Sequence, residues 1–211
     1  MGILANIRND YSLNILSENN VLKNPIEQTL KWLEEAIHHK INEPTAMNLA
    51  TASPSGRPSS RIVLLKEINT TGFVFFTNYD SKKGQELAVN PFAALTFFWK
   101  ELERQVRIEG QVQKITAIES DVYYNSRPLG SRIGAIVSPQ SKQIDSRSTL
   151  EEKAKAMENF PEKEIKRPEN WGGYILIPDY IEFWQGRTNR LHDRLAFSLE
   201  NNEWRINRLA P

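Results

Sequence analysis

The 211 residues, 39% hydrophobic and 25% charged, suffice for one substantial globular core with helical additions. Twenty-seven basic against 26 acidic side chains leave a formal charge of +1, so no global field draws the chain to nucleic acid or to an anionic membrane, and any anion site must be local. Zero cysteines exclude disulfides, thiolate catalysis and thiolate-bound metals, and 3 histidines leave little for a His-rich site, so no metal is expected.

Residues 1–23 are polar and weakly patterned, which reads as a flexible N-terminal arm ahead of a single domain over 24–211. The start lacks a long apolar run with a small-residue cleavage site, and no stretch is long enough to span a bilayer. A cytoplasmic protein is therefore expected. Asn24-Pro25-Ile26-Glu27 supplies a cap, a first-turn proline and a capping-box acid ahead of Ile26, Leu30, Leu33, Ile37 and Ile41 at helical spacing, which predicts an amphipathic helix. His38 and His39 close it as a solvated helix end.

From Pro44 to about residue 114 the period changes to two. AMNLATA, SRIVLLKE, GFVFFTN, AALTFFW and RQVRIEGQVQKI read as strands of an antiparallel barrel. SKKGQELAVNP interrupts them as a short helix that opens at Asp80 or Ser81 and stops before Pro91. Residues 116–160 read as mostly helical with a loop-like centre at SRPLGSRIGAIVSPQSKQ. GGYILI, YIEFWQG, HDRLAFSLE and EWRINRL then return to strands, the last two joined at Asn201-Asn202 as a hairpin. The fold class expected is mainly β with flanking helices.

Two places can carry chemistry. Lys82 and Lys83 sit in the first turn of the short helix, where the dipole disfavours positive charge. A phosphate there would use the free backbone N–H groups, the Ser81 hydroxyl and both ammonium groups, although a water-screened helix end is the plain alternative. In Arg190-Leu191-His192-Asp193-Arg194, an extended chain would aim Arg190, His192 and Arg194 at one face and Leu191 at the other. Those donors suit a phosphate, a carboxylate or a ring substituent, while ordinary surface ion pairs are the commoner fate of such runs. Trp99, Trp171 and Trp184 lie on or beside strands and are available to wall a planar ligand. No Rossmann glycine fingerprint or Walker loop is present.

Ile181-Glu182-Phe183-Trp184-Gln185 followed four residues later by Arg190-Leu191-His192-Asp193-Arg194 resembles the C-terminal motif of the pyridoxamine 5'-phosphate oxidases. RIVLLK at 61–66, FFTNYDSKKG at 75–84, LERQVRIEG at 102–110, SRPLGSRIGA at 126–135, SPQS at 138–141 and the terminal RLAP agree in order. The resemblance implies an antiparallel split β-barrel that forms a homodimer, with FMN at the subunit interface. FMN would then be held by Arg61, Ile62, Val63, Leu64, Leu65 and Lys66, by Phe76, Thr77, Lys82 and Lys83, and by Gln105, Gln140, Ser141, Trp184 and Arg194. Substrate contacts implied in the same way are Lys66, Tyr123, Arg127 and Ser131 around a phosphate, Arg190, Leu191 and His192 at the ring, and Arg8, Asn9, Asp10 and Tyr11 as a lid. Arg190 and His192 would be the catalytic pair.

The implied reaction is the oxidation of pyridoxamine 5'-phosphate or pyridoxine 5'-phosphate to pyridoxal 5'-phosphate, with O2 as acceptor and H2O2 as product, and NH3 released from the amine. Arg61 and Lys66 are five apart and face opposite ways in a regular strand, so both reaching one cofactor requires a bend or backbone contacts. Lys82 stands where many relatives have Arg. Competing readings are a split-barrel oxidase of another ring, of the phenazine type, and a non-catalytic flavin or pyridoxal-phosphate carrier.

Overall fold

The computed structural model describes residues 10–211, and Arg8 and Asn9 lie outside the described residues. Alternating side chains build the strands β1 (Ala46–Ala52), β2 (Pro58–Ile68), β3 (Phe73–Asn78), β4 (Phe92–Trp99), β5 (Arg104–Lys114), β6 (Trp171–Gln185), β7 (Asp193–Glu200) and β8 (Glu203–Arg208). All neighbours are antiparallel in the order β3-β2-β1-β4-β5-β6-β7-β8, and an additional β3–β6 pairing closes the first six into a barrel. Inside it Leu49, Phe75, Leu95, Ile108, Leu176 and Phe183 are fully buried, each contributing roughly 1.5–3 kcal/mol of hydrophobic stabilisation. β7 and β8 extend the sheet beyond β6 through a two-residue turn in which Asn201 and Asn202 both have positive φ (51° and 64°), as a hairpin turn of this length demands.

The helices are α1 (Pro25–His38), α2 (Lys82–Val89), α3 (Ala117–Ser126), α4 (Leu129–Val137) and α5 (Arg147–Glu158). Asn24 caps α1 by accepting from Ile26 N–H, with Pro25 in the first turn. The buried face is Ile26, Thr29, Trp32, Leu33 and Ala36, so Leu30 and Ile37 of the expected stripe lie exposed at its flank. Trp32 takes the core position, packing edge-on against Phe183 and under the Arg104 guanidinium. The segment read as a loop-like centre contains α4. Its glycines and Pro128 signal a break, and tertiary contacts override them: Ile133 is buried, the Tyr124 hydroxyl donates to Arg132 C=O, and Arg132 donates to Ile165 C=O and to Glu162. GGYILI and YIEFWQG form one strand, β6, in which Pro178 lies beside the β-bulge at Glu109/Gly110, the position that tolerates a missing N–H.

Of the arm expected over 1–23, residues 10–23 are described, and they lie against the barrel. The Glu103 carboxylate accepts from the backbone N–H groups of Ser12 and Leu13, that of Asp193 accepts from Leu16 N–H, and the Leu16 side chain is buried in the core.

Candidate functional site: a cation-lined cleft and a separate aromatic cluster

β2 pairs with β1 over seven residues, but with β3 only at Leu65, Glu67 and Ile68. The edge of β2 before Leu65 therefore faces a cleft instead of a strand. This cleft has a volume of 830 Å³, and its walls include Arg61, Ile62, Val63, Leu64 and Lys66 of β2 with Phe76 and Thr77 of β3. Across from them stand Lys82, Lys83, Gln140 and Ser141, and Tyr123, Arg127 and Ser131 line the same space. Fourteen positions expected from the sequence thus meet in one place. The Arg61–Lys66 parity resolves in two ways: the register of β2 shifts between Leu65 and Glu67, and an edge presents its backbone together with both faces. Leu65 is the exception on this strand, since its side chain is buried in the core.

At one end Ser81 caps α2 and donates to Asn78 C=O. A Cβ on Gly84 would lie 2.1 Å from Tyr79 C=O, so only glycine lets the chain turn this tightly into the helix. The Lys83 side chain is thereby folded inward. Its ammonium donates to Thr77 Oγ1 (3.0 Å), Ser81 Oγ (3.2 Å) and Gln140 Oε1 (3.0 Å), all neutral oxygens, and among the described residues no carboxylate pairs with it. Burial, with the nearby Arg61 charge second, pulls its pKa down to about 8. A buried cation without a counter-ion is costly unless an anion arrives.

The middle of the cleft has an aromatic wall. Phe76 stacks on Tyr123 at 3.8 Å and on Trp171 at 5.6 Å, with interplanar angles of 22° and 16°. Arg127 sits over the Trp171 ring at 4.6 Å, and its buried Nη1 has no hydrogen-bond partner among the described residues. An orphaned guanidinium nitrogen beside Ser131 and Tyr123 is suited to accept a second anion. Trp171, weighed among three tryptophans in the sequence, is the one that walls this cleft, whereas Trp99 is buried against Phe97. Ser59, Ser60 and Pro128 also line it. Nothing in the sequence pattern singled them out, because serines at the start of a strand, as Ser59 and Ser60 are in β2, and a proline ahead of a helix are ordinary.

The remaining candidates gather elsewhere. Gln105, Trp184 and Arg194 are cross-strand neighbours on β5, β6 and β7. Trp184 packs on His192 at 4.7 Å, and Tyr11 of the arm meets both rings, at 5.7 and 6.0 Å. Arg187 N–H donates to His192 Nδ1, which leaves Nε2 to carry the proton of the neutral ring. Burial and the Arg190 charge hold the imidazole below its ordinary pKa of 6.5. Arg194 is bound to the buried Glu182 carboxylate at 2.9 and 3.1 Å. The expected alternation through 190–194 does not occur: Asn189 and Arg190 have positive φ, and the strand begins only at Asp193. Arg190 and Leu191 are exposed on that turn, and Asp10 is exposed at the start of the described chain. None of these residues lines the cleft.

No helix among the described residues is long and apolar enough to cross a membrane, and no group of three or more His, Asp or Glu among them is placed to hold a metal. The family model described as pyridoxamine 5'-phosphate oxidase matches residues 33–160, and that described as the pyridoxine 5'-phosphate oxidase C-terminal dimerisation region matches 171–211. Among curated relatives, the pyridoxine/pyridoxamine 5'-phosphate oxidases of Mannheimia succiniciproducens and Actinobacillus succinogenes are 55% and 56% identical over 208 residues, covering 99% of either chain in both comparisons. A solved structure of PhzG from Burkholderia lata, in complex with tetrahydrophenazine-1-carboxylic acid, superposes with a TM-score of 0.88 at 31% identity, covering 95% of this chain and 100% of that one. An FMN-binding protein from Nostoc punctiforme, related to pyridoxamine 5'-phosphate oxidase, superposes with a TM-score of 0.72 at 16% identity, covering 89% and 98%, which speaks to the fold alone.

Proposed function

The chain belongs to the pyridoxamine 5'-phosphate oxidase family, and from that premise we propose that it oxidises pyridoxamine and pyridoxine 5'-phosphates to pyridoxal 5'-phosphate, using FMN held in the cleft and O2 as acceptor, with H2O2 as co-product and, from the amine, NH3 released when water hydrolyses the imine. The observation that carries this reading is the pairing of two anion-hungry sites in one cleft: Lys83, buried without a counter-ion, and Arg127, with an orphaned Nη1. They flank an aromatic wall, and the volume of 830 Å³ suits a ligand of flavin size beside a small ring. Identity of 55% to the B6-phosphate oxidase of Mannheimia against 31% to the phenazine protein favours the B6 substrate.

FMN, held at the anion end by Arg61, Lys82 and Lys83, would supply the two-electron redox chemistry between substrate and oxygen. The residues bind and orient. Lys82, Lys83, Arg61 and the α2 N-terminus neutralise the cofactor phosphate. Lys66, Arg127, Ser131 and the Tyr123 hydroxyl hold the substrate phosphate, which fixes the ring in a near-attack position. Arg190 and His192 lie away from this cleft in their own chain, so they serve a site only if a second protomer presents them.

A homodimer is consistent with the matched dimerisation region. It also accounts for Ile62, Leu64 and Phe98, which leave apolar side chains exposed on the outside of the barrel. The partner's Trp184 and His192 would then close the cleft, with His192 Nε2–H donating to the ring substituent. The test is the absorbance of the purified protein. Bound flavin is expected to bleach near ~450 nm, a property of oxidised flavins, on anaerobic addition of pyridoxamine 5'-phosphate, and air should restore it with formation of peroxide. Bound flavin that never bleaches would favour a carrier or another substrate, and absence of any FMN binding would overturn the reading of the cleft.

A further inference from the structure

Glu86 has no place in the reaction outlined above, yet it is a buried carboxylate at the anion end of the cleft. It lies on α2, one turn beyond Lys82. Its Oε2 accepts from Thr51 Oγ1 at 2.5 Å and from Ser59 Oγ at 2.6 Å. The same two hydroxyl oxygens accept from the Arg61 guanidinium: Nη1 reaches Thr51 at 2.6 Å and Nη2 reaches Ser59 at 2.5 Å, with Nη2 itself 3.5 Å from Oε2. Each hydroxyl has one proton. Because both protons go to Glu86, both oxygens are free to receive Arg61, and the direction of the whole relay is set by an ionised carboxylate. Burial opposes that ionisation, but the two hydroxyls, then Arg61 and Lys82, outweigh it and hold the carboxyl below its ordinary pKa.

We propose that Glu86 is the positioning residue of the phosphate end, clamping the Arg61 guanidinium into the cleft through Thr51 and Ser59. It also sets the local charge. Arg61, Lys82 and Lys83 contribute three positive charges and Glu86 removes one, leaving two, which matches a phosphate monoester dianion. The proposal rests on the reading that the cleft takes FMN.

Positioning and simple charge balance predict opposite signs for Glu86→Gln. Removing a negative charge near a phosphate strengthens its binding, whereas releasing Arg61 weakens it. The experiment titrates FMN and riboflavin into flavin-free protein by quenching of flavin fluorescence, for wild type, Glu86→Gln, Arg61→Ala and the double variant. The expected result is an FMN Kd raised about tenfold in Glu86→Gln, the scale of one charge-assisted contact. Riboflavin, which lacks the phosphate, should bind unchanged, and the loss should vanish in the Arg61→Ala background. Tighter FMN binding in Glu86→Gln, or an equal loss for riboflavin, overturns the proposal. If Glu86→Gln does not fold, Ser59→Ala removes one of the two hydroxyls that bridge Glu86 and Arg61 and should weaken FMN in the same direction; unchanged FMN binding there also overturns it. Wild-type protein that binds neither flavin would instead sink the cofactor reading itself.

Discussion

Lys83 shows how a single residue's environment becomes a measurable pH dependence. Its pKa is depressed to about 8 from an ordinary 10.5, by burial first and Arg61 second. For a base lowered on folding, the unfolded chain binds more protons between those two values. The flavin-free fold therefore carries the cost of a buried charge below about pH 8, and is relieved of it as pH rises toward 10.5. Cofactor binding runs the other way, because a phosphate that is already dianionic above ~pH 6 needs the ammonium form. FMN affinity is expected to fall as pH rises above about 8, and Lys83→Ala should weaken FMN at neutral pH while flattening that fall. Fluorescence titrations across this range check it, and an undiminished pH slope in Lys83→Ala would remove Lys83 from the anion end. The lysine pair was legible in the sequence because like charge in a helix's first turn is a local contradiction. Glu86 was not, because an acid four residues after Lys82 reads as an ordinary helical ion pair until Thr51 and Ser59, far back in the chain, fold against it.

At the scale of elements, the start of α2 is where backbone and chemistry are joined. Gly84 permits the close approach to Tyr79 C=O that folds Lys83 inward. Gly84→Ala should destabilise the protein by on the order of 3 kcal/mol, the upper range for forcing extra atoms into a packed site, and should weaken FMN along with it. A thermal melt and a flavin titration check both, and an unchanged melting temperature would mean that the turn relaxes freely. The strands were readable from their period of two, and so was α2 from its Ser81 cap and Pro91 stop. The helix α4 was missed because Pro128, Gly130 and Gly134 are local breaking signals, while Ile133 and Arg132 hold it through contacts distant in sequence. The same gap explains Arg190. Alternation is a property of extended chain, and the positive φ at Asn189 and Arg190 follows from how the loop leaves β6.

For the molecule as a whole, the expected site residues divide into a cleft at the β2 edge and a cluster on β5, β6 and β7: β1 and β4 lie between them on one side of the barrel, and on the other, where β3 pairs with β6, the cleft residues Phe76 and Thr77 meet Gly173 and Gly172, at the opposite end of β6 from Trp184. If two protomers combine these halves, Lys83→Ala and His192→Ala damage opposite chains of each site. At an FMN concentration that fills wild-type sites and leaves Lys83→Ala sites empty, each variant alone should be nearly inactive, yet a mixed dimer regains one intact site, so an equimolar reassorted mixture should recover about a quarter of wild-type turnover. Recovery of nothing after verified subunit exchange would place both residues in sites built from a single chain. The sequence by itself determined the barrel class, the capped helix beside a strand, and the identity of the residues able to bind anions, because periodicity, capping and charge are local properties of the chain. Only the tertiary structure decided which of those residues meet, that the edge of β2 stays open, and that Arg61 is clamped by a carboxylate from another element, because these depend on strand pairing and packing between segments far apart in sequence.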